Sequence, residues 1–204
     1  MLKARKILCV TNRNICNEDF LTRIDRIASF GLDGIILREK DLSISEYKVL
    51  ASEVIKICGK HRMTCILHSF VDVALALDAK HIHLPLDLLR SLPDNIKIKF
   101  KIIGASCHSV EDALLAEKLG CTYITAGHIF ETQCKIGVPG RGIDFLKKIC
   151  NSVKIPVYAI GGIDPQNVAQ VFDADASGIC LMSSLMVKNN LEEYLNSFEV
   201  RNEH

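Results

Sequence analysis

The stretch KILCVTNRNICNEDFLTRIDRIASFGLDGIILREK, residues 6–40, contains the pattern by which the whole chain is read. It opens on a short apolar run that ends in the polar residues TNR at 11–13. Phe20, Leu21, Ile24, Ile27 and Ala28 then recur at helical spacing and stop at Gly31. A second apolar run, GIILREK at 34–40, follows at once. A strand, a helix and a new strand are therefore expected in quick succession.

Working outward, the same unit returns along the chain. Residues 43–61 place Ile44, Tyr47, Val49, Leu50, Val54, Ile55 and Ile57 on an apolar helical face. Further strands are expected at 64–68, 81–85, 100–108, 122–130, 156–162 and 178–184. Helices are expected at 71–78, 86–92, 110–119, 143–151 and 165–173, with a last one running through Phe198. Eight strand-then-helix units in 204 residues, about 25 residues each, predict an α/β chain folded as one (β/α)8 TIM-barrel domain over 1–204. The strand runs stay apolar until their last positions, as a parallel sheet covered on both faces requires. An open, doubly wound sheet is the alternative fold.

Composition narrows the function. Twenty-five Lys and Arg against 24 Asp and Glu give a net charge of +1, too balanced for a protein that coats nucleic acid. A 49% hydrophobic content excludes disorder as the main state. No apolar run approaches the roughly 18 to 20 residues of a membrane span, and MLKARKILCV turns polar too soon for a secretory signal. Nine cysteines, an odd number without a CxxC pair, read as reduced thiols of a cytoplasmic protein. His81 and His83 alternate along a strand rather than pairing on a helix, so neither a metal site nor a cofactor is expected. Whether copies of the chain associate is left open.

A barrel puts its chemistry at the carboxyl ends of its strands. Those ends carry Thr11, Asn12 and Arg13; Arg38, Glu39 and Lys40; His68 and Ser69; His83; Ser106 and His108; Gly127 and His128; Gly161 and Gly162; and Met182, Ser183 and Ser184. In AIGGIDPQN, 159–167, two glycines let the backbone approach a ligand, and Asp164 and Pro165 mark an expected helix start. LMSS at 181–184 adds hydroxyls at another helix start. Gly161, Gly162, Met182 and Ser183 are accordingly the expected phosphate site, because the loops after strands seven and eight cradle phosphate in this fold. The bland reading is a pair of tight turns. Arg38 suits a substrate carboxylate, which guanidinium binds bidentately, with a salt bridge to Glu39 or to a helix residue as the competing explanation. The loop ETQCKIGVPGRG, 131–142, reads as a lid in which Glu131, Thr132 and Lys135 can close over a ligand. Cys134 lacks the partners of a nucleophile.

VTNR, ILREK, GASCHS, GHIFETQCKIGVPGRG, PVYAIGGI and LMSS, in this order, resemble the thiamine phosphate synthase and thiazole tautomerase superfamily. The segment from Gly127 to Gly142 is most similar to the tautomerase, or TenI-type, branch. The resemblance implies a TIM barrel acting on a thiazole phosphate. For the tautomerase it implies metal-independent aromatisation of a carboxylated dihydrothiazole phosphate, with His128 as acid and base. For the synthase it implies joining a pyrimidine diphosphate to the thiazole phosphate through Mg²⁺ held by carboxylates. The synthase pattern has Asn-Asp where this chain has His68-Ser69, and Gly-Gln-Glu-Asp where it reads Pro85-Leu86-Asp87-Leu88; of the nearby carboxylates, Asp72 matches a separate helix position of that pattern and Asp87 is offset by one residue. Lys40 is a residue the synthase would use on its diphosphate. Arg38, Lys40, Ser106, His108, Thr132 and Lys135 are thus the expected substrate contacts. His68 and His83 read as pocket or structural groups. The tautomerase is the main expectation, with the synthase and a non-catalytic thiazole-phosphate binder as alternatives.

Overall fold

A computed structural model describes residues 6–132 and 137–199. The eight strands are β1 (Lys6–Val10), β2 (Gly34–Leu37), β3 (Thr64–His68), β4 (His81–Pro85), β5 (Ile102–Cys107), β6 (Tyr123–Gly127), β7 (Val157–Ile160) and β8 (Gly178–Leu181). All neighbours pair in parallel in sequence order, and β8 closes on β1 through Lys6 opposite Gly178 and Leu8 opposite Cys180. The barrel is therefore shut, and no strand edge is left over.

Alternation along the strands separates two cores. Leu8, Val10, Ile36, Ile66, Tyr123, Tyr158 and Cys180 cluster in the lumen. Their neighbours Cys9, Ile35, Leu37, Leu67, Ile124, Ala159 and Ile179 belong to the larger layer under the helices. Successive side chains of a strand point to opposite faces, and here each face meets apolar matter. The lumen is tight enough that Gly104 of β5 has no room for a side chain. A Cβ there would overlap the Tyr123 ring and come within 2.5 Å of His83 Nδ1.

The outer layer comprises α1 (Phe20–Ser29), α2 (Ile44–Lys60), α3 (Val71–Ala76), α4 (Leu86–Ser91), α5 (Asp94–Lys97), α6 (Val110–Lys118), α7 (Gly142–Ser152), α8 (Val168–Asp173), α9 (Ser183–Val187) and α10 (Leu191–Glu199). Local chemistry sets several starts. Asp19 accepts the Thr22 amide ahead of α1, and Ser43 with Glu46 forms a reciprocal capping box ahead of α2.

Three expectations needed correction. The helix expected from 165 begins at Val168, because Asp164 Oδ1 takes the amides of Gln166 and Asn167 and folds that segment as a turn. The last helix is two, α9 and α10. Side chains of Asn17, Arg23 and Arg26 occupy the carbonyls of Val187, Lys188 and Asn189, which a continuous helix would use internally. The strand expected over 100–108 starts at Ile102, and α5 precedes it where no helix was expected. Among the described residues no helix is long and apolar enough to cross a membrane.

Tyr47 of α2 is fully buried, stacks on Phe70 at 4.0 Å, and ties two strand ends together. Its hydroxyl donates to the Leu37 carbonyl at 2.7 Å and accepts the His68 amide at 2.9 Å. Tyr47→Phe strands both backbone groups and is expected to lower stability by about 1–3 kcal/mol, read from the urea midpoint.

Candidate functional site

The carboxyl ends of the strands open on one cavity of about 1180 Å³, somewhat above the usual range for a small-molecule pocket. Ten of the eleven residues singled out from the sequence line it: Arg38, Lys40, Ser106, His108, His128, Thr132, Gly161, Gly162, Met182 and Ser183. Lys135, like Cys134, lies outside the described residues.

The cationic side stands at β2. Thr11, fully buried, donates to Glu39 Oε1 at 2.6 Å and accepts the Arg38 amide at 2.9 Å. Glu39, 2% exposed, also takes the Arg13 amide at 3.1 Å and pairs with the Arg13 guanidinium at 3.4 Å. Glu39's ion pair among the described residues is thus with Arg13, and the salt bridge weighed for Arg38 is not formed. Burial, and then the Arg38 charge, push Lys40 below the usual lysine range. Thr11 and Glu39 went unassigned in the sequence because their role is to pin two neighbouring strand ends, which is visible only once β1 and β2 are paired.

The floor is made of neutral polar groups. His83 contacts Tyr123 Oη through Nδ1 and Ser106 Oγ through Nε2, each at 2.9 Å. His68 Nδ1 meets Ser69 Oγ at 2.7 Å, and the two imidazoles stack at 5.6 Å. Burial, then the His83, Lys40 and Arg38 charges, push His68 down to about 2. Burial, with Arg38 and Lys40 behind it, pushes His83 down to about 3. Both rings are therefore uncharged near neutrality and serve as hydrogen-bonding surface. Ser106, expected to contact substrate, is engaged by His83. His108 donates Nδ1–H to the Gly127 carbonyl at 3.0 Å, while its amide bonds Asp112.

His128 follows β6 and is 5% exposed. Its Nε2 lies 3.1 Å from the Val138 carbonyl. A carbonyl only accepts, so Nε2 is the donor in this contact. Nδ1 is buried and has no hydrogen-bond partner among the described groups. The segment carrying this ring is docked on the end of β7, with the Ile129 amide on the Ile160 carbonyl at 2.9 Å and the Phe130 amide on the Gly161 carbonyl at 3.0 Å. Gly161 adopts φ +101°. A Cβ there would overlap the His128 Cβ and stand 2.8 Å from its Cα. Close approach to another segment of this chain is thus one requirement for that glycine, independent of any ligand.

The sequence of a protein family described as thiamine monophosphate synthase matches residues 7–185. A thiamine-phosphate synthase of Fusobacterium nucleatum is 35% identical over 97% of this chain and 98% of its own length. One from Clostridium acetobutylicum is 34% identical over 92% and 90%. A solved thiamine phosphate pyrophosphorylase from Pyrococcus furiosus superposes with a TM-score of 0.82 at 29% identity, over 96% of this chain and 94% of that one. These names are those of the transferase, the activity held second in the sequence reading.

The two neutral histidines make stability depend on pH with a definite sign. In the unfolded chain a histidine binds its proton near 6.5, whereas in the fold these rings stay neutral to about 3 or below. The unfolded state binds more protons below about 6.5, so stability is full above that pH. It falls on acidification by up to about 1.4 kcal/mol per pH unit for each ring. Urea midpoints taken from neutral pH down to about 4.5 are expected to show this decline, and His83→Gln to remove one ring's share. Gly161→Ala is expected to lower stability by about 1–3 kcal/mol and to shift the His128 imidazole NMR signals. Gly31→Ala, at φ +72° with nothing within 4 Å of a new Cβ, is expected to leave those signals in place.

Proposed function

The chain belongs to the thiamine monophosphate synthase (TMP-TENI) family, and from that membership and the composition of the cavity we propose that it acts on a thiazole phosphate by moving a proton with His128. The substrate class is a carboxylated dihydrothiazole phosphate, and the reaction is its tautomerisation to the aromatic ring. One proton leaves a ring atom and one is returned elsewhere, so atoms balance without a co-reactant. An imidazole takes and gives a proton near neutrality, and such transfer contributes about 10²–10⁴ in rate.

The observation that carries this reading is His128 itself, which lines the cavity and whose buried Nδ1 has no hydrogen-bond partner among the described groups. Buried polar atoms are normally satisfied, so an imidazole left with one unpartnered nitrogen in a residue that lines the cavity suits a proton exchanged with a ligand there. Arg38, whose amide is held by Thr11, is suited to the substrate carboxylate, with Lys40 beside it. The glycine pair, Met182 and Ser183 would take the phosphate, and Thr132 faces the same space. The neutral floor at His68 and His83 adds no charge that would compete with either anion.

A second reading is favoured by the names of the relatives: thiamine phosphate synthesis from a pyrimidine diphosphate and the thiazole phosphate. That reaction needs Mg²⁺ on hard oxygen ligands, and the residues here do not fit the ion. After β3 stands His68, buried and bonded to Ser69; after β4, Asp87 faces the cavity without a second carboxylate in its turn. Among the described residues no group of three or more His, Cys, Asp or Glu is gathered to hold a metal. Arg38 and Lys40 would suit a diphosphate, which is what keeps this reading in play.

Purified protein is assayed in two arms: pyrimidine diphosphate and thiazole phosphate with Mg²⁺, and the carboxylated dihydrothiazole phosphate with chelator. Aromatisation in the second arm alone is expected, with His128→Asn losing about 10²–10⁴ in kcat while ligand affinity holds. Thiamine phosphate formed in the first arm would overturn the proton-transfer assignment in favour of the synthase. Ligand binding without turnover in either arm would favour a binder.

A further inference from the structure

Beyond Ser183 the cavity continues to a rim that the proposed chemistry does not use. Lys188 stands there, exposed, in the connection between α9 and α10. Its Nζ lies 4.7 Å from the centroid of the Tyr194 ring. Lys188, Ser184 and Tyr194 all line the cavity.

The backbone under Lys188 is held firmly. Three consecutive carbonyls, those of Val187, Lys188 and Asn189, accept from Asn17 Nδ2 at 2.9 Å, Arg23 at 2.7 Å and Arg26 at 3.0 Å. Arg23 is only 1% exposed and is paired with Glu18 at 2.6 Å. Burying a guanidinium is costly unless it is paired; here Nε is ion-paired with Glu18 without an aligned hydrogen bond, and the bond from Nη1 to the Lys188 carbonyl fixes where Lys188 leaves the chain.

Charge at this end is otherwise unfavourable for an anion. The described lining residues contributed by β7, β8 and the segments after them include one carboxylate, Asp164, and one cation, Lys188. Arg38 and Lys40 follow β2, separated from β8 by β1. A phosphate dianion held here by neutral donors alone, with Asp164 in the same wall, would lose hydration without gaining a counter-charge.

We propose that Lys188 is that counter-charge, the cation of a subsite for a phosphate monoester in which the hydroxyls of Ser183, Ser184 and Tyr194 are the neutral donors. An ammonium serves as a compact point charge for phosphate, and resting on the Tyr194 face restricts where it can go. The anion subsite stands on the cavity's own residues; only the identity of the phosphate ester rests on the thiazole-phosphate reading.

The test is calorimetric titration of the full chain with inorganic phosphate, thiazole phosphate and the unphosphorylated thiazole alcohol, at low and moderate salt. Lys188→Met is expected to bind both phosphates about tenfold to a hundredfold more weakly, to leave alcohol binding unchanged and to flatten the salt dependence. Lys188→Arg is expected to recover most of the loss. Unchanged phosphate affinity in Lys188→Met overturns the proposal, as does an equal loss for the alcohol or a wild type that binds neither phosphate. Lys188-dependent binding of inorganic phosphate without binding of thiazole phosphate would support the subsite and reject the thiazole reading.

Discussion

The ladder between β1 and β8 is the constraint on which the rest depends. Four residue pairs, from Lys6 opposite Gly178 to Cys9 opposite Leu181, join the first strand to the last. Their pairing turns an open sheet, whose edges would need covering, into a closed barrel. Closure also decides the chemistry, because all eight parallel strands must then end at one mouth. Gly178 is part of that closure. A Cβ at this position would stand 2.6 Å from both the Lys6 carbonyl and the Tyr158 ring.

Below the mouth, the lumen carries a neutral polar network alongside its apolar cluster. Tyr123, His83 and Ser106 form a chain of 2.9 Å contacts across β6, β4 and β5. Gly104 provides the space for it. A buried polar network is stabilising only when its members are satisfied, and keeping the imidazoles uncharged avoids the larger cost of a buried cation. The positive charge of the site is instead concentrated at β2, where Glu39 is locked into Thr11 and Arg13, leaving Arg38 and Lys40 to face the cavity.

The β6 and β7 ends work as one piece. Two backbone hydrogen bonds and the contact of Gly161 with His128 seat the loop carrying the histidine on the neighbouring strand end. The Arg141 and Gly142 amides return to the carbonyls of His128 and Ile129, at 3.0 and 2.9 Å. The far end of that loop is thereby brought back to its base, and Val138 reaches the His128 ring. A ligand placed against Gly161 is thus necessarily close to His128, so phosphate recognition and proton transfer would share one rigid corner.

Much of this was legible in the sequence. Apolar runs broken at regular intervals and helical spacing such as Phe20, Ile24 and Ile27 determined the eightfold alternation, because burial on both faces of a parallel strand and on one face of a helix leaves different periods in the chain. Strand-end positions also located the cavity residues, since the barrel delivers those positions to one mouth. Helix boundaries near Asp164 and Lys188 were not legible. There the deciding acceptors and donors are local competitors, such as the Asp164 carboxylate, or distant side chains, such as Arg23. Nor could the sequence determine which partner each polar group would take. Glu39 with Arg13, His83 with Tyr123 and His128 with Val138 are choices among many chemically equivalent pairings. Only closure of the barrel, by fixing which strand ends lie within hydrogen-bond reach, makes them.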